Sequence, residues 1–352
     1  MAPMRALRFA PGLVCLLACG SLVLAGCGGG SSSSSHVDQS AEKGQSRPAP
    51  PKSTFPATEG RTLKQFVKGV GKVQPEAKLT PGGEAFYPGP NRYAFLVSEK
   101  DTASGQAGKE IPDAEVAIYY AKAAKGNSPF KGPAVGPFPA RIESLATETP
   151  FQGKTTTEDP DVASVVYSAE LNFPGAGQYK PVMVIKEKGG WATKALPTVQ
   201  VGEFAMIPRV GQKAPLIQTP TAKGVGGDLA KISTRVPPDT QNKVNYADVL
   251  GKEPILLLFT TPKFCQSRVC GPVVDVAEQA QHEFEGKANF IHMEIYNDND
   301  PSKGVRPQVR RFHLPTEPWL FAINREGVVS ATIEGAFGTN LLHKTVDRVI
   351  SE

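Results

Sequence analysis

An apolar run that leads into two closely spaced cysteines is the feature that most constrains the fold of this chain. Ile255–Phe259 contains five consecutive apolar residues, with a proline before it at position 254 and another after it at position 262. A short apolar run bounded by prolines predicts a buried strand. Cys265 and Cys270 follow, and apolar side chains then recur at helical spacing between positions 274 and 284. The sequence therefore predicts a strand that is joined to a helix by a turn carrying both cysteines.

Further strands and helices are predicted in alternation after this helix. The expected strands lie over 288–295, 314–323 and 328–333, and the expected helices over 305–312 and 340–350. This order of strand, helix, strand, helix, hairpin and helix resembles a thioredoxin fold. The resemblance covers roughly residues 211–352, includes the Thr316-Glu317-Pro318 segment, and is closest to membrane-tethered redoxins of the TlpA type. It implies a cis peptide bond before Pro318 and places this proline opposite the active cysteine.

The cysteine pair is interpreted as a redox centre. A thiolate is the species that attacks a disulfide, and the free N–H groups at a helix N-terminus stabilise it. Cys265 is expected at the N-terminal end of the helix and is assigned as the nucleophile, with Cys270 one turn further along as the resolving cysteine. Five positions along a regular helix separate two Cα atoms by about 8–9 Å, whereas a disulfide needs less than about 7 Å. Therefore either Cys265 lies in the loop ahead of the helix, or the two redox states differ in local structure.

Three interpretations stay open beside a thiol–disulfide oxidoreductase that acts on extracytoplasmic protein thiols and disulfides. The four-residue gap also occurs in one group of peroxiredoxins, but Leu258 and Pro262 stand where that family has proline and threonine. A Sco-like copper chaperone has a shorter cysteine gap and a later histidine, and His313 and His343 fall in no recognisable ligand motif. The third alternative is a thioredoxin-like domain whose disulfide is only structural.

No cofactor and no metal site are expected from the sequence. The histidines of the C-terminal part are expected at surface or strand positions: His282, His292, His313 and His343. Glu317, beside the expected cis proline, is either a group that tunes the cysteine pair or an ordinary loop carboxylate.

The N-terminus has the pattern of a secretory signal. Arg5 and Arg8 precede an apolar stretch that ends in Leu24-Ala25-Gly26-Cys27. This ending resembles a bacterial lipoprotein signal, which implies removal of residues 1–26 and a lipid anchor on Cys27. The expected location is the extracytoplasmic face of the cell membrane. In that oxidising compartment, Cys265 and Cys270 are the two cysteines left over and are expected to form a disulfide, permanent or cycling.

Between the signal and the cysteine region, the chain is predicted to be multidomain. A Gly-, Ser- and Pro-rich composition over 27–83 predicts a disordered tether. Short alternating strands with Gly and Pro turns then predict an all-β immunoglobulin-like sandwich over 84–205, followed by a linker over 206–239 and an α/β thioredoxin-like domain over 240–352. The expected strands of the sandwich are 93–97, 114–119, 141–145, 164–173, 179–185 and 198–201. The segment from Phe173 to Tyr179 resembles the tyrosine corner of immunoglobulin-like domains.

The charge distribution argues against a nucleic-acid partner. The formal net charge is +5 and 40% of the residues are hydrophobic. Lys and Arg are dispersed along the chain, without the basic stripe that binding to nucleic acid requires. The partners expected from the sequence are therefore protein thiols and disulfides, and a lipid membrane that is reached through Cys27.

Overall fold

Two β-sheets organise this chain. The computed structural model describes residues 44–71, 75–100, 107–123, 129–265 and 267–352. The strands of the larger sheet are β1 (Ala77–Pro81), β2 (Gly89–Lys100), β3 (Ala107–Glu110), β4 (Val116–Lys122), β5 (Val135–Ser144), β6 (Val165–Phe173), β7 (Gly177–Glu187), β8 (Gly190–Ala195) and β9 (Val199–Val201). The smaller sheet contains β10 (Ile255–Phe259), β11 (Asn289–Met293), β12 (Trp319–Ile323) and β13 (Val329–Glu334).

The larger sheet is antiparallel and curls around a core of its own. Its order is β1-β2-β6-β5-β4-β7-β8, while β3 pairs with β2 and β9 pairs with β7. Strand β5 pairs with β6 through residues 140–144 and with β4 through residues 135–139, so that one strand belongs to both halves. The two halves face each other across buried aromatic side chains, among them Tyr93, Phe95, Tyr167 and Phe173. Because β5 pairs with a strand of each half, one continuous sheet can fold around a core.

Each of the six strands expected in this region has a counterpart, whereas β1, β3 and β8 were not predicted. The Tyr179 hydroxyl donates a hydrogen bond of 2.7 Å to the carbonyl of Gly175, a contact of the kind that a tyrosine corner makes. The strands form one continuous sheet where a sandwich would have two separate ones. The immunoglobulin-like assignment of this part stays a prediction.

The prediction of a disordered tether over 27–83 is wrong for the described part of that range. A helix, α1 (Leu63–Val70), begins with a capping box between Thr62 and Gln65. Phe55, Leu63 and Phe66 are buried in a cluster with side chains of β4 and β7. A polar composition does not exclude order here, because these few apolar side chains fill the outer face of the sheet and gain the free energy of burial.

The lipoprotein prediction concerns residues that the structure does not describe. The signal over 1–26, Cys27 and the first part of the predicted tether lie outside the described residues. Within the ranges that are described, none of the helices is long and apolar enough to span a membrane.

The smaller sheet has the element order that the sequence predicts. Its strand order is β11-β10-β12-β13, with β10 parallel to β11 and antiparallel to β12. The helices that follow α1 are α2 (Lys154–Thr157), α3 (Tyr246–Val249), α4 (Cys270–Glu283), α5 (Pro307–Arg311) and α6 (Thr339–Ser351). From β10 onward the order is strand, helix, strand, helix, two paired strands and helix, so the predicted thioredoxin-like order is confirmed.

The two sheets share a hydrophobic core and belong to one compact unit. Ala94 of β2 and Val166 of β6 lie in the same buried cluster as residues of α4 and α6. Polar contacts reinforce the junction, because Arg92 donates a hydrogen bond of 2.6 Å to the carbonyl of Ala336. The Glu334 carboxylate accepts hydrogen bonds of 2.8 and 3.0 Å from the backbone amides of residues 84 and 85. The predicted domain boundaries stay predictions, but the junction fixes the larger sheet beside the cysteine region.

Candidate active site

The cysteine pair is joined by a disulfide at the start of α4. Cys265 and Cys270 are bonded to each other, and their Cα atoms lie 5.9 Å apart. This separation falls in the usual range for a disulfide. Helix α4 begins at Cys270, so Cys265 lies in the loop ahead of the helix. The cysteine spacing left two alternatives open, and the structure shows the one in which Cys265 lies in the loop ahead of the helix.

The expected position of Cys265 at the helix N-terminus is therefore wrong, and Cys270 occupies that place. The chain turns away from helical geometry just before α4, because Arg268 has a positive φ of 62°. Pro272 lies in the first turn, where a missing N–H costs nothing, so the helix can begin at this point. The partial positive charge of the helix N-terminus consequently acts first on Cys270.

Exposure distinguishes the two sulfur-bearing side chains. Cys270 is completely buried in the core that the two sheets share. Cys265 is partly exposed, and its Sγ lies 3.3 Å from the hydroxyl of Ser267. A substrate that approaches from solvent therefore reaches Cys265 before Cys270.

Both ends of the cysteine loop are held by other parts of the chain. The backbone amide of Lys263 donates a hydrogen bond of 3.1 Å to the hydroxyl of Thr234. On the other side, the amide of Ala163 in the larger-sheet part donates a hydrogen bond of 3.0 Å to the carbonyl of Arg268. A Cβ atom on Gly271 would lie only 2.9 Å from the Thr156 hydroxyl, so this glycine allows α4 to approach α2 closely. The segment between β5 and β6 thus packs against one side of the cysteine loop.

The peptide bond before Pro318 is cis, as the resemblance implied. Pro318 and its neighbours Thr316 and Glu317 line a cavity of about 510 Å³, together with Ser267 and Val269 of the cysteine loop. The structure thus brings the predicted proline and the cysteine loop to the same cavity. The opposite wall comes from the larger sheet, with Tyr93, Phe95, Leu96, Val166 and Val199 among the lining residues.

A buried ion pair lies behind the cysteine loop and was not anticipated. His292 and Asp239 are both completely buried, with 2.7 Å between His292 Nδ1 and Asp239 Oδ2. His292 Nε2 lies 3.2 Å from the carbonyl oxygen of Thr260, the residue that follows β10. A carbonyl and an ionised carboxylate can only accept hydrogen bonds, so both ring nitrogens must donate. With Asp239 ionised, only the charged imidazolium form of His292 donates both hydrogen bonds at once.

The pKa values of this pair agree with the geometry. Burial alone would lower the pKa of His292, but the charge of Asp239 and the hydrogen bond to it raise the pKa to about 9. Burial would likewise raise the pKa of Asp239, yet the attraction of His292, with hydrogen bonds from His292, Ser233 and the amide of Gln241, holds it at about 2. The segment that leads into the cysteine loop is therefore anchored on a charged, hydrogen-bonded pair.

Glu317 is a carboxyl group with an unusual environment. Burial raises its pKa to about 8; the backbone amide of Thr261 opposes this rise and the negative charge of Glu294 adds to it. Its Oε2 atom is buried and finds no hydrogen-bond partner among the described residues. Glu317 therefore carries its proton over much of the neutral pH range and lies beside the cis proline in the wall of the cavity.

A signal for the buried charges was present in the sequence. His292 and Glu294 alternate with the apolar residues Ile291 and Met293, so they occupy the same face of a strand region whose other face is apolar. Both are buried, at 0% and 1% exposure. Two charged groups on one face of a strand next to the cysteine turn indicated a buried polar cluster. The sequence predicts a surface or strand position for His292, and the residue lies in strand β11 and is completely buried.

The other three histidines of the C-terminal part are more exposed to solvent than His292. His282 and His313 are exposed, and His343 is partly exposed and faces Glu283. Within the described part of the chain, no group of three or more His, Cys, Asp or Glu side chains is arranged to hold a metal ion.

Comparison with known proteins finds similarity to solved structures. No family model matches the chain, and no curated protein matches it either. Among solved structures, it is similar to the crystal structure of a putative thiol:disulfide interchange protein DsbE from Chlorobium tepidum, with 16% sequence identity and a TM-score of 0.29. The match covers 41% of this chain and 99% of that one.

Proposed function

We propose that this protein is a thiol–disulfide oxidoreductase that acts on extracytoplasmic protein thiols through Cys265 and Cys270. The observation that carries the proposal is the asymmetry of the bonded pair. One cysteine is partly exposed in a loop and the other is buried at the start of α4. A cavity that also contains the cis Pro318 adjoins the loop. An exposed attacking sulfur and a shielded resolving sulfur are what two-step disulfide exchange requires.

The exchange follows from this arrangement. In the reduced protein, the Cys265 thiolate attacks one sulfur of a substrate disulfide, a mixed disulfide forms, and the first substrate thiolate leaves. The Cys270 thiolate then attacks the Cys265 sulfur and releases the second substrate thiolate. Two electrons pass from the protein dithiol to the substrate, and the Cys265–Cys270 bond forms. The reverse sequence oxidises a substrate dithiol, so the same residues serve either direction.

Single cysteine replacements test this assignment. Cys265→Ser is expected to abolish exchange with a model disulfide, because the exposed sulfur is lost. Cys270→Ser is expected to accumulate a mixed disulfide on Cys265, because the resolving thiol is missing. Trapped adducts are measured by mass spectrometry under non-reducing conditions.

Other results would assign the pair differently. A mixed disulfide trapped on neither variant, together with a reduction potential below about −300 mV, would make the bond structural. Consumption of peroxide that depends on Cys265 would instead favour the peroxiredoxin-like alternative. Loss of bound copper from both variants, without any trapped thiol, would favour the copper chaperone.

We also propose that the mature protein is anchored by lipid on Cys27 at the extracytoplasmic face of the membrane. The support is the Leu24-Ala25-Gly26-Cys27 ending of the N-terminal apolar stretch. On this proposal the larger sheet is an immunoglobulin-like unit; its antiparallel strands and the Tyr179 corner support that assignment.

The anchor is tested by Cys27→Ala. We expect this variant to lose lipid labelling and to leave the membrane fraction, since lipid chains supply the membrane affinity. Cys265→Ser serves as the control, because it also removes a cysteine and should be lipidated normally. Lipidation of the Cys27→Ala protein would refute the anchor.

A further inference from the structure

The cavity beside the disulfide has one wall that belongs to the larger sheet. Ser267, Val269 and the 316–318 segment form the wall next to the cysteines. The facing wall comes from the end of β1, the middle of β2 and the segment that leads into β9. A volume of about 510 Å³ lies within the usual range for ligand pockets, which is about 300–1,000 Å³. The larger sheet therefore supplies half of a binding site, beyond holding the cysteine loop in place.

We propose that this cavity binds the peptide segment on either side of a substrate's reactive cysteine, and that carboxylates of the larger sheet select segments with apolar and positively charged side chains. The inference rests on the proposed function, since the cysteine of the bound segment is what Cys265 would attack. It adds a substrate class and assigns the specificity to residues outside the thioredoxin-like part of the chain.

The apolar character of the cavity comes from both walls. Tyr93, Phe95 and Val166 are buried side chains of the larger sheet that reach the lining. Val269 and Pro318 are buried residues on the facing wall. A substrate side chain that enters between these walls removes its own apolar surface and the partly exposed surface of Leu96 and Val199 from water, and each Å² removed gains about 25 cal/mol. The cavity therefore favours leucine-like or aromatic neighbours of the substrate cysteine.

The charge of the cavity has one sign. Glu84 and Glu203 are exposed carboxylates in the lining and supply its negative charge. Glu317, the third acidic residue there, adds no charge while it carries its proton. None of the described residues that line the cavity is Lys, Arg or His. A unit charge at 4 Å contributes between about 1 kcal/mol in water and about 4 kcal/mol near a protein surface. A basic substrate side chain is therefore attracted and an acidic one is repelled.

Access to the cysteine loop favours a peptide segment over a broad protein face. On the side of α2, the close approach at Gly271 and the hydrogen bond from Ala163 to Arg268 keep the segment between β5 and β6 in contact with the loop. Cys265 remains partly exposed, and the cavity adjoins the loop at Ser267 and Val269. A folded surface cannot enter a space of this size, whereas an extended segment with a cysteine can.

Binding of peptides that cannot react tests the inference independently of the chemistry. The probes are two pentapeptides with a central serine in place of cysteine, leucine on both sides of it, and either two lysines or two glutamates at the ends. With the oxidised full chain, we expect the lysine peptide to bind at least about tenfold more tightly, which corresponds to about 1.4 kcal/mol. The Glu84→Gln/Glu203→Gln double variant should reduce this preference to less than about threefold. Added salt should also reduce the preference, because both carboxylates are exposed.

A matched pair of tryptophan variants shows whether the peptide occupies the cavity. Thr198 lines the cavity and is exposed, so Thr198→Trp should obstruct it without disturbing the core, and should weaken binding of both peptides. Thr149 is also exposed and is not among the lining residues, so Thr149→Trp should bind like the unaltered protein. Equal affinity for the two peptides, or a preference that survives the double variant, would overturn the inference. Tighter binding of S-methylglutathione, which has no free thiol, than of the lysine peptide would also overturn it.

The redox reaction separates failure of this inference from failure of the proposed function. The same peptides are prepared with cysteine carrying a thiopyridyl group, and release of thiopyridone by the reduced protein is followed by absorbance. If the protein exchanges with the small neutral 2-hydroxyethyl disulfide but does not discriminate between the peptides, the peptide-binding role of the cavity is refuted and the oxidoreductase function stands. If the lysine peptide binds more tightly but the protein exchanges with none of the disulfides, the oxidoreductase function is refuted and the peptide-binding role of the cavity stands.

Discussion

Arg235→Met is expected to lower the free energy of unfolding by about 3–5 kcal/mol, because it leaves a buried carboxylate without its partner. Arg235 Nε lies 2.7 Å from Asp275 Oδ1, with side-chain exposures of 5% and 0%. The same guanidinium donates hydrogen bonds to the carbonyls of Phe151 and Pro237. The other carboxylate oxygen of Asp275 accepts a hydrogen bond from the amide of Gly153. One ion pair thus joins α4 to two other segments, and its loss should loosen the helix that carries Cys270.

Denaturant unfolding of matched variants measures this effect. Lys154→Met is the control, since the ion pair between Lys154 and Glu158 is exposed at 64% and 68% and its loss should change stability by less than about 0.5 kcal/mol. The Arg235→Met/Asp275→Leu protein removes both charges and should be destabilised by less than the sum of the two single changes, with a coupling of about 1 kcal/mol or more. Additive effects, or a loss no larger than in the control, would mean that the pair does not hold α4.

The strands and helices from β10 onward could be predicted because their apolar patterns are local. Ile255–Phe259 is a short continuous apolar run, which is typical of a buried strand, whereas apolar residues recur at helical spacing after Cys270. The start of α4 could not be placed, because the positive φ of Arg268 moves it to Cys270 and no glycine or asparagine in the turn marked that change. The sequence did not predict the ordered structure of residues 44–71, for a different reason. Phe55 and Phe66 are ordered by a sheet face that forms from strands distant in sequence.

The candidate site was predictable only as far as its residues are close in sequence. Cys265, Cys270 and Pro318 were identified from local motifs. The cavity depends on Tyr93 and Phe95, which lie more than 150 positions earlier in the chain, and only the junction of the two sheets brings them there. Asp239, the partner of His292, comes from a segment that had been assigned to a linker. Long-range contacts of this kind leave no periodic pattern in a single sequence.

The ion pair between His292 and Asp239 should make the stability of the oxidised protein depend on pH in a defined window. The pKa of His292 is raised from 6.5 to about 9 in the folded chain. The stabilisation is therefore fully present below pH 6.5 and is lost as the pH rises through about 9. The stabilisation from Asp239 is lost at low pH instead. The pKa of Asp239 falls from 3.8 to about 2 in the folded chain, so its contribution is lost only as the pH falls through about 2. Between pH 6.5 and 9 the free energy of unfolding should decrease by about 1.4 kcal/mol for each unit by which the pKa of His292 is raised.

Glu317 must be removed from this measurement, because its raised pKa also makes stability fall with pH, between 4.5 and about 8. We therefore compare Glu317→Gln with Glu317→Gln/Asp239→Asn by urea unfolding at pH 6.5 and pH 9. The first protein should lose stability over this interval. The second should be less stable at pH 6.5 and should show no such loss, because without Asp239 burial lowers the pKa of His292 and the ring is neutral in both conditions. Groups that titrate elsewhere in the chain contribute equally to both proteins and cancel in the comparison. Equal decreases in the two proteins would show that His292 is not held as a cation behind the cysteine loop.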